Sequence, residues 1–251
     1  MRLLVVNPNT TQGVTDHLHA VACAAAAPST QVSSITATRG VPFIATRADA
    51  VIGGMVTLEM LAAHYHAFDA AIVGAFGDPG LGGARELLSI PVVGLAEAGL
   101  FSACMLGRSF SVITFSATLV PWFEECVAWH GLEKRCASVR ALNESFRSLT
   151  DVQQEKEQRL IDLANMVATN DRADVVVLGG APLSGMANTI KDRVEVPLVD
   201  CVVAAVKQAE SLVALDVRKA RLGTYQRPAA KDSVGLDPAL AKILRRDDRN
   251  S

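Results

Sequence analysis

The sequence predicts an α/β protein made of two similar parallel-sheet α/β domains, related by a pseudo-twofold axis with a cleft between them. Three observations carry this prediction. Short runs rich in Val, Ile and Leu alternate with longer segments of helical period, the pattern of parallel strands covered on both faces by helices. The same order of runs occurs twice along the chain. Two glycine-rich turns, IVGAFGDPGL (72–81) and VLGGAPLSGM (177–186), end corresponding apolar runs.

The elements follow in order. Arg2–Val6 reads as a strand, Thr10–Ala25 as a helix, and Gln31–Ala37 as an alternating strand. Ala48–Ala67 has a helical stripe of Val51, Met55, Leu58, Ala62 and Tyr65. Ala70–Gly74 and Pro91–Leu95 are buried strands flanking a short helix, Gly82–Leu88. The second half begins with a strand, Phe110–Thr114, and a helix, Ala117–His130, while Cys136 falls in a variable connection. Thr150 and Gln153 resemble a capping box opening a helix through Ala168. Asp174–Gly179 and Pro197–Asp200 are strands with a helix between them, and Val202–Leu215 is a further helix. The expected halves are residues 1–100, joined by the helix of about 202–215, and residues 101–201. Residues 216–251 form a peripheral helix or flexible tail.

Aligning Ala70 with Val175 superimposes Gly74 on Gly179, Ala75 on Gly180, Gly80 on Gly185 and Leu81 on Met186. At nearly the same offset Asn7 falls on Thr114 and Asn9 on Ser116. Ligands of open parallel sheets sit at the carboxyl ends of the strands. Two such sheets facing each other would place one small ligand between matching turns, each turn reaching one face of it.

Composition narrows the partners. The 251 residues are 50% hydrophobic and 20% charged, with a net charge of −2, so no field favours nucleic acid or an anionic membrane. No apolar run is long enough for a membrane span, and five scattered cysteines without metal-ligand spacing read as reduced thiols in a cytoplasmic protein. No metal site is visible. The GxxGxxG spacing is not the dinucleotide fingerprint, which argues against NAD.

NPNTT near the start, FGDPGL, PVVGLAEA and the glycine-rich turn after DVVVLG resemble the aspartate/glutamate/hydantoin racemase superfamily, closest to its hydantoin and allantoin racemase branch. The resemblance covers roughly residues 1–215. It implies an active site between two α/β domains, no cofactor, a small-molecule substrate and a homo-oligomer. It also implies a proton shuttle between two cysteines, one per domain. Ala75 and Gly180 stand at those two positions, and Cys23, Cys104, Cys126, Cys136 and Cys201 map elsewhere. Neither methyl group nor hydrogen accepts a proton, so the two-thiol route does not transfer.

The other candidates each carry two readings. Asn9 and Thr10 either contact a ligand at the first strand end or cap the helix that follows. Thr114 and Ser116 are their counterparts. Asp78 is a general base or a turn and helix cap; Ser184 is a proton relay, a nucleophile or a turn residue; Glu97 protonates substrate, orients backbone or complements a helix N-terminus. Pro42 and Phe43 are candidates for an apolar wall of the pocket, Phe43 reading equally as plain core, and Phe76, Gly77, Ala181 and Pro182 are expected to line it. The expected function is a hydantoin-racemase-like enzyme acting on a small cyclic ureide or amino-acid derivative. The alternatives are a lyase or amide hydrolase in the same cleft, and a non-catalytic ligand-binding protein.

Overall fold

The computed structural model describes residues 1–142 and 157–247; the Thr150–Gln153 capping pair lies outside the described residues. The strands are β1 (Arg2–Asn7), β2 (Gln31–Thr36), β3 (Ala70–Val73), β4 (Val92–Gly94), β5 (Phe110–Thr114), β6 (Cys136–Ala141), β7 (Val175–Leu178) and β8 (Leu198–Asp200). The helices of the first half are α1 (Gln12–Ala25), α2 (Arg47–His64), α3 (Leu81–Leu87) and α4 (Leu95–Leu106). They are followed by α5 (Val120–Trp129), α6 (Glu157–Asn170), α7 (Met186–Ile190), α8 (Cys201–Ala214) and α9 (Pro238–Arg245).

Two four-stranded parallel sheets result, β2-β1-β3-β4 and β6-β5-β7-β8, with the same order in each. β3 and β7 are buried along their whole length because helices cover both faces, and their residues are accordingly apolar throughout. The central core is shared: Leu3 and Val5 of β1, Leu100 of α4, Phe110 and Val112 of β5, Val177 of β7 and Val206 of α8 belong to one buried cluster. Small residues let the middle helices approach. Gly99 of α4 has no room for a Cβ, which would stand 2.6 Å from Cys201 Sγ at the start of α8. Two outer cores cover the far faces, one around Leu4, Val6 and Leu61, the other around Ile113, Leu160 and Val176. No helix among the described residues is long and apolar enough to cross a membrane.

Leu95–Leu106, across the expected division of the halves, forms α4, whose buried Leu95, Ala96, Ala98, Gly99, Leu100 and Ala103 leave no polar stripe to reveal a helix. Two expectations change. Cys136 opens β6, an edge strand in which only Val139 is buried, so it lacks the apolar run of its neighbours. In α2 the buried face is Gly53, Gly54, Val56, Thr57, Leu61 and Ala62, whereas Val51 is 75% exposed. The reason is backbone contact: a Cβ on Gly80 would sit 2.7 Å from the Gly54 carbonyl oxygen. Thr46 and Asp49 start α2 with a capping box. After α8 the chain ends in α9, whose Leu240 and Ile243 bury against the outer core of the first sheet.

Candidate active site

Residues that follow β1 and β3, and their counterparts β5 and β7, meet in the lining of one cavity. The turns that follow have matching hydrogen bonds: Gly74 N–H donates to the Val6 carbonyl at 2.7 Å, and Gly179 N–H to the Ile113 carbonyl at 2.8 Å. Gly80 and Gly185 both sit at φ +84° immediately before α3 and α7. Only glycine takes that conformation without strain, so these two positions set the direction of both helices.

A cavity of about 60 Å³ lies between the turns. At roughly 10–15 Å³ per water, it suits a small ring and not a nucleotide. Asn9, Phe43, Ala75, Phe76, Gly180, Ala181 and Pro182 line it, together with an apolar wall of Val14, Ile44, Phe115, Leu119, Trp122 and Phe123. Phe76 from the first turn stacks on Phe123 of α5 with ring centroids 4.3 Å apart, closing the floor between the halves. A larger recess, about 910 Å³, abuts the C-terminal segment and contains no residue of either turn.

Asn9 supplies the polar side chain of the lining. Its Oδ1 accepts from Asn7 Nδ2 at 3.1 Å and from Thr11 N–H at 3.0 Å, which fixes the amide and leaves Nδ2 without a hydrogen bond to any described residue. The backbone N–H groups of Ala75, Phe76, Gly180 and Ala181 likewise make none to a described residue. Among the described residues, no ionisable side chain lines the cavity.

The remaining sequence candidates lie outside this lining. Thr10 is exposed and its N–H donates to the Val41 carbonyl; α1 begins one residue after Thr11, whose hydroxyl donates to the Pro42 carbonyl at 2.5 Å. Gly77 (φ +96°) is not in the lining and packs against Trp122, so close that a Cβ would stand 2.3 Å from its ring. Thr114 is fully buried with its hydroxyl unpartnered among the described residues, and Ser116 shares a hydrogen bond with Thr118 at 2.9 Å. Ser184 is buried, and its carbonyl pairs with His17 Nε2 at 3.0 Å. Glu97 forms a two-point ion pair with Arg85 of α3, one contact being 2.6 Å.

Asp78 does cap a helix, though not the one that follows its own turn. Its carboxylate accepts from Ala96 N–H at 2.9 Å and Glu97 N–H at 2.8 Å, at the start of α4. In the second half Asp200 caps α8 through Val202 (2.9 Å) and Val203 (3.2 Å), and also accepts from Gly185 back in the turn. By strand register the counterpart of Asp200 is Gly94, and a Cβ there would lie 2.1 Å from Asp78 Cγ. The same capping charge is therefore delivered from the turn in one half and from the strand end in the other. Burial pushes the Asp78 carboxyl above the usual carboxylate range, with His130 and the α4 amides opposing the shift.

Sequence reasoning missed the aromatic wall. Its signal was PWF opening α5 directly after β5, but the identity of its target is set by how α5 crosses the first turn.

Comparison with known proteins agrees with this arrangement. The family model for Asp/Glu/Hydantoin racemase matches residues 3–209. A hydantoin racemase of Rhizobium meliloti is 32% identical over 237 residues, 94% of this chain and 98% of that protein. Allantoin racemase from Klebsiella pneumoniae superposes with a TM-score of 0.89 at 31% identity, covering 96% of this chain and 98% of that one. Allantoin racemase from Pseudomonas fluorescens gives 0.89 at 34% identity, covering 94% and 100%. The fold and cleft thus define an enzyme of the racemase and isomerase type. The chain belongs to the Asp/Glu/Hydantoin racemase family.

Proposed function

We propose that the cleft binds a small cyclic ureide, or an amino-acid derivative of similar shape, and exchanges the proton on the carbon beside its carbonyl, without a cofactor. One observation carries this reading. Two matched turns bring Ala75, Phe76, Gly180 and Ala181, whose N–H groups make no hydrogen bond to a described residue, into the lining of a single ring-sized cavity. Loss of that proton leaves an enolate whose charge rests on the carbonyl oxygen, and fixed N–H donors in a water-poor site stabilise such charge more than they stabilise the neutral substrate. Asn9 Nδ2 is placed to hold a second polar group of the ring. The names of the hydantoin and allantoin racemases support the substrate class.

With Ala75 and Gly180 at the turn tips, water or hydroxide carries the proton. A positioned general base typically contributes 10²–10⁴-fold, on the order of what this cleft forgoes. Solvent deuterium uptake at that carbon, followed by NMR with a panel of L-hydantoins and allantoin, tests the proposal. Saturable uptake that falls when Asn9 is replaced by Leu supports it; uptake at the buffer rate for every compound contradicts it.

The lining's lack of an ionisable group favours one second reading, a ligand-binding protein that retains the pocket alone. Saturable binding of the same compounds with no exchange selects it. A lyase or hydrolase using Asp78 or Ser184 has less support, because neither lines the cavity. A homo-oligomer is supported by exposed Phe101 (41%), Met105 (86%) and Trp129 (59%). Sedimentation should show Met105→Glu shifted toward the monomer.

A further inference from the structure

We propose that Asp78, Cys126 and His130 form a binding site for one divalent cation of borderline softness, zinc(II) being the best match, behind the first cleft turn. One ligand atom from each lies within 4.8 Å of the others. Cys126 and His130 are four residues apart, and His130 keeps helical backbone (φ −82°, ψ −1°) at the end of α5, so both side chains share one face. Asp78 approaches from the turn opposite, with His130 Nε2 3.5 Å from Asp78 Oδ2.

One further observation points to a cation. The His130 side chain is 3% exposed, and beyond the 3.5 Å approach of Asp78 Oδ2 its Nε2 has no hydrogen-bond partner among the described residues. A buried imidazole nitrogen of that kind is a cost that a metal bond removes. A dication with one thiolate, one carboxylate and a neutral imidazole is charge-balanced.

The donor set of nitrogen, sulfur and oxygen is that of zinc, whose bond lengths place tetrahedral ligands roughly 3.3–3.8 Å apart. The widest pair here must therefore close by no more than about 1.5 Å. On binding, the Cys126 thiol releases its proton to solvent as the sulfur–metal bond forms, with no change of oxidation state. A recess of about 360 Å³, lined by Asp78, Cys126, Trp122 and Trp129, gives entry and room for a water as fourth ligand. Occupancy would tie the turn carrying Ala75 and Phe76 to α5 of the other half.

The test uses the full chain, stripped with chelator and titrated with cobalt(II) as a spectroscopic probe. We expect a thiolate-to-cobalt charge-transfer band that saturates at one equivalent, is lost in Cys126→Ser and is at least tenfold weaker in apparent affinity in His130→Gln. Cys23→Ser is the control, because exposed Cys23 also has a histidine one turn away, with Sγ 3.4 Å from His19 Nε2. No band in the wild type overturns the proposal, as does a band that disappears in Cys23→Ser and persists in Cys126→Ser. Should Cys126→Ser fail to fold, an unchanged titration in His130→Gln overturns it equally.

Discussion

Gly180 and Ala75 occupy matched positions on different backbones. Gly180 has φ +114° and ψ 142°, a region nearly closed to other residues, and an added Cβ would lie 2.8 Å from Phe115. Gly180→Ala should therefore cost about 1–3 kcal/mol, read from the urea midpoint, while Ala75→Ser, at ordinary backbone, should cost well under that. A thiol can thus be restored at Ala75 alone more readily than at both positions. Asp78 makes a pH prediction. A carboxyl whose folded-state pKa is raised stabilises the fold below its unfolded pKa and loses that contribution as pH rises through the folded value. Since burial raises Asp78, Asp78→Asn should flatten the decline in stability above the usual carboxylate range, measured by urea unfolding across pH.

At the scale of elements, the exchange of capping charges between the halves can be tested directly. Gly94→Ala places a methyl group where the Asp78 carboxylate sits, so it and Asp78→Asn should each cost about 1–3 kcal/mol by unbinding the α4 amides. The double variant should cost much less than the sum, because both remove the same contact. In α9, Leu240→Ala should cost about 2–4 kcal/mol through loss of its packing in the outer core. The elements readable in sequence were those with a local signature: the apolar runs of β1, β3, β5 and β7, and the helical period of α1. α4 was not, being apolar on all faces, nor was β6, whose exposed edge tolerates Arg140 and Ser138. Asn9, Phe43, Ala75 and Gly180 were legible as cavity residues because strand ends and glycine turns announce themselves. Trp122 and Phe123 were not, because only the approach of α5 to the first turn brings them there. The helix that Asp78 caps was hidden for the same reason, lying 18 residues further along the chain.

For the whole molecule, one buried cluster runs through both sheets, so the halves should unfold together. Tryptophan fluorescence, reporting Trp122 and Trp129 near the cleft, and far-ultraviolet circular dichroism should give coincident denaturation curves. Sharing a core also holds the two turns at a fixed separation, which an oxyanion site requires. The proposed proton exchange rests on that geometry: a cleft with Ala75 and Gly180 at its turn tips and backbone N–H groups that make no hydrogen bond to a described residue. The most direct measurement is deuterium uptake from heavy water at the α-carbon of an L-hydantoin, by NMR, in wild type and in Ala75→Trp, which fills the cavity. The account predicts saturable uptake above the buffer rate that the tryptophan abolishes. Uptake no faster than buffer, or uptake indifferent to the filled cavity, would contradict it.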